Sequence, residues 1–227
     1  MGLLGIRMLL LAAQRRSLPE LWIGLFFLTT GVGGECFLRS FASATEPGLA
    51  QQLAFVGFPV LFLATVSSYL FTYTVFRRGE SWALAFVCGG SLLALWGTLQ
   101  QLGGSSLKAD LAAPQLTYLA GRVVCFSWSA LEAFRAYRMA RRRLALGLAD
   151  PVVVNRFFLF GSCFSLMALM PITYALSRSY GSKAVEDASN LPPKLIGLGM
   201  VVTLILTFLP PRKYLEWVRG STNEEEQ

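Results

Sequence analysis

Residues 47–76 read PGLAQQLAFVGFPVLFLATVSSYLFTYTVF, a run of 30 residues without a charged side chain. A helix needs about 20 mostly apolar residues to cross the hydrocarbon core of a bilayer. Further uncharged runs follow at residues 81–107, 157–177 and 195–211. These four segments predict that lipid, rather than water, surrounds most of the chain.

The composition of the whole chain favours the same environment. Of its 227 residues, 54% are hydrophobic and 15% are charged, whereas about 25% are charged in an average soluble protein. Two more segments are long and apolar but carry charges in their interior: residues 19–41 contain Glu35, and residues 114–134 contain Arg122 and Glu132. We count both as spans because their flanks are otherwise right.

The predicted fold is an all-α, polytopic integral membrane bundle of seven transmembrane helices. It forms one domain over residues 1–211, followed by a short cytoplasmic tail at residues 212–227. The predicted spans are residues 2–14, 19–41, 49–76, 81–102, 114–135, 152–177 and 193–209. A helix over residues 2–13 measures only about 18 Å, against a hydrocarbon core of about 30 Å. If this helix lies flat on the surface, the bundle has six spans plus an interfacial N-terminal helix.

The basic residues predict the orientation, because cytoplasmic connections collect Lys and Arg. The odd-numbered connections, with the tail counted as the last of them, hold 12 of the 20 Lys and Arg residues, and the even-numbered ones hold 5. This alternation predicts a cytoplasmic C-terminus and, for seven spans, an N-terminus outside. The small size and the absence of glycosylation sequons favour a bacterial cytoplasmic (inner) membrane.

The residue types present exclude several chemistries. The sequence contains no histidine, which is the commonest zinc and haem ligand and the usual general base. Its four cysteines fall inside apolar segments without a CxxC pair, so we interpret them as buried packing residues. They are Cys36, Cys88, Cys125 and Cys163. The sequence also has no GxSxG motif, and we predict neither an enzyme nor a bound cofactor or metal.

A formal net charge of +7 is compatible with a nucleic-acid partner, but the position of the charges does not favour one. Most of the excess lies beside span ends, where it meets anionic lipid headgroups. We therefore expect the bilayer, and not a nucleic acid, as the partner of these charges. In the tail, the apolar and aromatic residues predict a short helix that lies on the membrane surface. These residues are Tyr214, Leu215, Trp217 and Val218.

The fifth predicted span carries the sharpest polar pattern. Tyr118, Arg122, Cys125, Ser129 and Glu132 follow one another at spacings of 4, 3, 4 and 3, so they share one face of a helix. A charged side chain near the bilayer centre costs about 2.5–3.5 kcal/mol. We therefore expect this face to turn toward other helices or toward water.

Neighbouring spans offer partners for this face. Depth in the membrane predicts one ion pair between Glu35 and Arg122 and another between Glu132 and Arg156; the alternative is that these side chains snorkel to the headgroups. Tyr69 and Tyr73 share a face of the third span and either bond to other helices or line a polar cavity. The candidate intramembrane polar network is therefore Glu35, Tyr69, Tyr73, Tyr118, Arg122, Ser129, Glu132 and Arg156.

Two functions of different classes remain. The arginines that follow the fifth span exceed what orientation requires, which favours a receptor-like or accessory subunit that engages a cytoplasmic or membrane protein. These candidate partner or lipid contacts are Arg135, Arg138, Arg141, Arg142 and Arg143. The alternative is a small transporter or channel with a polar pathway along the fifth helix. In helix count and loop charge, the chain resembles the seven-helix input modules of bacterial membrane sensors.

Overall fold

The computed structural model of the chain describes residues 1–37, 47–103, 113–179 and 191–224. These residues form eight α-helices and one π-helical segment, and they contain no strand, which confirms the all-α class. The elements are α1 (Gly2–Arg15), α2 (Leu18–Thr29), the π-helical segment (Thr30–Phe37), α3 (Pro47–Phe76), α4 (Ser81–Gly103), α5 (Ala113–Leu144), α6 (Pro151–Ser179), α7 (Leu191–Phe208) and α8 (Arg212–Glu224).

Three of the described helices are long and apolar enough to cross a membrane. They are Gln51–Phe76 within α3, Ser81–Leu102 within α4 and Pro151–Thr173 within α6. The segments Lys194–Phe208 and Arg212–Gly220 meet at a bend of 79° and together make one further, broken candidate. The chain therefore has the helices of a membrane protein, but the predicted count of seven spans is not confirmed.

The remaining predicted spans lack length or apolar character. Helix α1 has 14 residues and α2 has 12, although the π-helical segment continues α2 as far as Phe37. Helix α5 has 32 residues, but it combines internal charges with a strongly basic end. Length and apolar character thus identify the uncharged runs as candidate spans. They leave open whether the segments with internal charges cross the membrane.

The chain divides into two compact units, Met1–Cys125 and Phe126–Gln227, and the boundary falls inside α5. The first unit contains α1 to α4 and the start of α5. The second unit contains the rest of α5 and α6 to α8. The single domain predicted over residues 1–211 stays a prediction.

In the first unit, α1 packs along α2 with almost no space between the two backbones. A Cβ atom on Gly5 would lie 2.5 Å from the backbone nitrogen of Leu28, and one on Gly24 would lie 2.9 Å from that of Leu9. A Cβ atom on Gly31 would lie 2.7 Å from the nitrogen of Gly2. Successive contacts move toward higher residue numbers on α2 and toward lower residue numbers on α1, so the two helices are antiparallel. Only glycine permits this approach, which is the packing that lipid-embedded helices favour.

Helices α3, α4 and α5 pack in alternating directions within the same unit. Gly97 of α4 lies against the backbone of Tyr118, and Ala94 lies against Gly121, so α4 and α5 are antiparallel. On α3, the ring of Phe58 contacts that of Tyr118, with ring centroids 5.6 Å apart. Seven residues further along both helices, Thr65 is bonded to Cys125. Helices α3 and α5 are therefore parallel, as the up-and-down threading predicted from the basic residues requires.

One cysteine contradicts the sequence interpretation. Cys125 and Cys163 are buried, as predicted, but Cys88 is exposed on α4. Helix α4 presents much of its surface outward, including the exposed side chains of Leu92 and Trp96. A cysteine in an apolar segment can therefore face lipid as readily as leucine does. The side chain of Cys36 lies outside the described residues.

In the second unit, α6 carries the contacts that hold the other helices. Its Gly161 lies under the ring of Phe134 from α5, and Phe160 packs edge-on against Phe208 of α7, with ring centroids 5.4 Å apart. The helix begins after Asp150, whose Oδ1 accepts the N–H of Val152 at 2.8 Å. This carboxylate satisfies one of the free donors at the helix N-terminus.

The helix predicted for the tail is present as α8, and it is fixed to α6. The Nδ2 atom of Asn155 donates a hydrogen bond of 2.6 Å to the hydroxyl of Tyr214. Val218 is buried, whereas Trp217 and Arg219 on the same helix are exposed. Helix α8 is therefore amphipathic, with one side on the protein and the other free to meet lipid headgroups or water.

The glycine contacts between α1 and α2 lead to a first prediction. Replacing Gly5 with alanine places a methyl group against the backbone of Leu28, which cannot move as a side chain can. We expect Gly5→Ala to lower the free energy of unfolding by about 1–3 kcal/mol, the usual cost of overpacking. Thermal unfolding of the detergent-solubilised protein, followed by circular dichroism, measures this change.

The matched control is Gly89→Ala on α4, where a Cβ atom meets nothing within 4 Å. This substitution should raise stability by about 0.5–1 kcal/mol, because alanine favours the helix. Equal midpoints for the two variants would show that α1 does not pack on α2 in this way.

Candidate functional site

Buried polar side chains concentrate in the first unit, where α3 packs on α4 and α5. Most of these buried polar side chains belong to α3, where five of them are each at most 2% exposed. They are Thr65, Ser67, Ser68, Tyr69 and Thr72. A membrane-spanning helix that buries five hydroxyl groups must supply acceptors for them, because lipid supplies none.

The α3 backbone provides most of these acceptors. Thr65 donates to the carbonyl oxygen of Leu61 at 3.0 Å, Ser67 to that of Leu63 at 2.7 Å, and Thr72 to that of Ser68 at 3.0 Å. Each bond spans four residues within one helix, a pattern typical of Ser and Thr in helices. These hydroxyls are therefore satisfied within α3 and need neither water nor a ligand.

Two hydrogen bonds join α3 to α5. The hydroxyl of Tyr69 donates to the carbonyl oxygen of Gly121 at 3.4 Å, and the thiol of Cys125 donates to that of Thr65 at 3.5 Å. The ring of Tyr69 also covers Gly90 on α4, where a Cβ atom would overlap it. Tyr69, on α3, thus contacts both α4 and α5 and is the centre of this cluster.

Arg122 lies beside this cluster, on α5. Its guanidinium carbon is 6.0 Å from the ring centroid of Tyr118, one turn earlier, at the outer limit of a cation–π contact. The Tyr118 ring in turn packs edge-on against Phe58. Arg122 is half-buried, and the predicted pair with Glu35 falls on a side chain outside the described residues.

Tyr73 shares a face of α3 with Tyr69, as its spacing predicts, but its hydrogen bond lies outside the cluster. Its hydroxyl accepts the backbone N–H of Gly79 at 3.3 Å, in the turn between α3 and α4. Arg77 pairs with Glu80 in the same turn at 3.0 Å, and its guanidinium lies 5.1 Å from the ring centroid of Trp82. Tyr73 is close enough to the end of α3 to bond to this turn, so its role is local.

The other predicted pair, Glu132 with Arg156, falls within the second unit and stays a prediction. Glu132 is buried on α5, as is Ser129 one turn before it. The side chain of Arg156 is exposed on α6. A long arginine side chain near the start of a helix can reach the surface, so for Arg156 the snorkelling alternative fits better.

The arginine side chains at the basic end of α5 are all exposed. Arg135, Arg138 and Arg142 lie on one side of the helix and surround, with Met139, a shallow recess of about 320 Å³. We call these three arginines the arginine face. Arg141 and Arg143 are also exposed. On another side of the same helix, Tyr137 packs against Phe158 of α6.

The described residues offer no metal centre. No group of three or more His, Cys, Asp or Glu side chains in the described ranges is arranged to hold a metal ion. Comparison with protein-family models, with curated proteins and with solved structures gives no match for this chain.

Sequence reasoning missed the residues opposite the polar side chains. Gly90 and Gly97 of α4 admit the ring of Tyr69 and the backbone of Tyr118, and their spacing of seven was the available signal. It also missed Asn155, the partner of Tyr214. A lone amide near the end of an apolar segment gives no sign of where its partner lies.

The contacts of Tyr69 lead to a second prediction. Tyr69→Phe removes the donor to Gly121 while keeping the ring against Gly90. We expect a loss of about 0.6 kcal/mol and at most about 1.7 kcal/mol, the range for interhelical hydrogen bonds in membranes. Unfolding in mixed micelles with increasing dodecyl sulfate measures the change.

Tyr73→Phe is the matched control. Its partner, the N–H of Gly79, lies in an exposed turn, where water replaces the hydroxyl. Its effect should be close to zero. A larger loss from Tyr73→Phe than from Tyr69→Phe would contradict the central position of Tyr69.

Proposed function

We propose that this chain is a receptor-like or accessory subunit of a membrane assembly and that it engages a protein partner through the arginine face of α5. The observation that carries the proposal is the exposure of Arg135, Arg138 and Arg142 around one recess. They occupy a helix that is continuous from its apolar part to Leu144. The helix therefore fixes the spacing of the three Cα atoms from which these side chains extend.

The rigid support of this face favours recognition over simple orientation. Phe134 and Tyr137 hold this part of α5 against Gly161 and Phe158 of α6. The ten residues from Arg135 to Leu144 extend about 15 Å along the helix axis. Basic residues in a flexible loop would be sufficient to orient the chain in the membrane. Arginines on one face of a packed helix can in addition match the surface of a partner protein.

The chemistry of the face indicates what it recognises. Guanidinium groups bind carboxylates through paired hydrogen bonds, which gives geometric specificity as well as affinity. Met139, within the recess, adds a flexible apolar contact. The partner that fits is an acidic protein segment with at least one apolar side chain, on the same side of the membrane as the basic end of α5.

The polar cluster of the first unit supports this proposal more than the transport alternative. The hydroxyls of Thr65, Ser67 and Thr72 are bonded to backbone carbonyls of α3, and Gly97 brings α4 and α5 into contact. Such a cluster holds helices together and leaves little room for a moving substrate. A small transporter or channel remains the second candidate, because α5 also carries buried Glu132 and half-buried Arg122.

We propose the full topology of seven spans for the same chain, with the N-terminus outside and the C-terminus in the cytoplasm of a bacterium. The alternation of basic connections supports it. The alternating directions of α3, α4 and α5 support it as well. Because α1 packs lengthwise along α2, from Gly5 to Leu9, it is embedded wherever α2 is embedded. This favours seven spans over six with a surface helix.

The third prediction concerns the arginine face. Replacing Arg135, Arg138 and Arg142 together with glutamine should reduce the amount of a co-purifying partner by at least about tenfold, since central arginines often dominate interfaces. Quantitative mass spectrometry of the complex, captured from native membranes in mild detergent, measures the loss.

The control replaces three exposed cations of α8, Arg212, Lys213 and Arg219, with glutamine. It changes the net charge by the same amount and should leave the partner bound. If both triple variants lose the partner equally, or neither does, the arginine face is not the contact surface.

The fourth prediction tests the topology with single cysteines in an otherwise cysteine-free chain. Ser81→Cys and Leu146→Cys should react with an impermeant thiol reagent only in inside-out vesicles. Ser43→Cys, Ser106→Cys and Ser182→Cys should react only in right-side-out vesicles. Labelling of all five positions from one side would reject the alternating topology.

A further inference from the structure

A second recess lies between α1 and α2, beside the turn that joins them. Its volume is about 290 Å³. Its walls are mostly apolar, and its polar residues, Arg16 and Ser17, make up the turn itself. The lining residues are Leu9, Ala12, Ala13, Arg16, Ser17, Leu18 and Leu21.

Arg16 occupies a backbone conformation that favours glycine. Its φ is 50° and its ψ is 38°, in the left-handed region, directly after the end of α1. It is the one non-glycine residue with positive φ in the described ranges. Helices commonly place glycine here, because a Cβ atom is unfavourable. An arginine at such a position points to a use for its side chain.

Ser17 adds a polar atom that has no partner. It is the N-cap residue of α2, yet its side chain does not cap the helix. Its Oγ atom is shielded from solvent, and none of the described residues hydrogen-bonds to it. The first N–H groups of α2 follow directly, and a helix N-terminus attracts anions. Glu20 lies in the first turn of α2, but its side chain does not line the recess.

We infer that this recess binds an anionic phospholipid, with part of an acyl chain against the apolar wall and the phosphate at Arg16, beside the N-terminus of α2. The charge of Arg16, which lines the recess, complements a phosphate group. The apolar wall of Leu9, Leu18 and Leu21 complements a hydrocarbon chain. The volume is at the small end for ligand pockets, which begin at about 300 Å³. The recess therefore holds one part of a lipid whose remainder stays in the bilayer.

This site requires only that the α1–α2 turn lies at a membrane surface. It does not depend on a protein partner at the arginine face. Loss of partner binding and loss of lipid binding are measured on different variants, so either proposal can fail alone.

The test is native mass spectrometry of the full chain in detergent, with phosphatidylglycerol and phosphatidylcholine of identical acyl chains as probes. The wild-type chain should bind phosphatidylglycerol at least fivefold more tightly than phosphatidylcholine. Arg16→Gly should reduce phosphatidylglycerol affinity by at least about fivefold, the contribution of one arginine near a lipid surface. Because glycine adopts positive φ readily, Arg16→Gly should also raise the thermal midpoint without lipid, which shows that the variant folds.

Two further variants separate a site from diffuse surface charge. Arg15→Gln removes a neighbouring charge that does not line the recess, and it should change phosphatidylglycerol affinity less than twofold. Ala13→Leu narrows the recess and should weaken both lipids. Inorganic phosphate at millimolar concentration should not displace the bound lipid.

Three results would overturn the proposal. The first is unchanged phosphatidylglycerol binding in Arg16→Gly, and the second is an equal loss in Arg15→Gln and Arg16→Gly. The third is displacement by inorganic phosphate alone, which would show a phosphate site without a lipid chain.

Discussion

Close approach of helix backbones is the interaction on which the rest of this structure depends. Between α1 and α2, and again between α4 and α5, glycines stand where a Cβ atom would overlap a neighbouring backbone. In lipid there is no hydrophobic force to drive helices together, so van der Waals contact and hydrogen bonds must do so. Glycine permits contact over a large area, and that contact holds Tyr69 within reach of Gly121.

The polar residues of the first unit follow from this packing. Once α3 and α5 are close and parallel, the carbonyl groups of Thr65 and Gly121 become acceptors for side chains of the other helix. The hydroxyls of Thr65, Ser67 and Thr72 bond to carbonyl groups of their own helix. Most of the buried polar groups of α3 are therefore engaged within α3 or with α5 and do not line a cavity.

The sequence predicted the class and the direction of the helices better than their contacts. Runs without charge identified α3, α4 and α6, because the cost of burying charge in lipid is large and local. Spacing correctly assigned Tyr118, Cys125, Ser129 and Glu132 to a buried face of α5. Spacing could not separate Tyr69 from Tyr73, because both lie on one face and differ only in distance from the end of α3. The pairing of Asn155 with Tyr214 spans 59 residues, and no local pattern encodes it.

The bend of 79° between the segments of α7 and α8 has a mechanical consequence for the second unit. Because Tyr214 is tied to Asn155, the end of the last apolar helix is braced against the opening turns of α6. Those turns follow the loop at which α5 and its exposed cations end. A force that pulls α8 away from the protein, for instance through the exposed Trp217 at the headgroups, therefore acts on the first turns of α6 through the hydrogen bond between Asn155 and Tyr214.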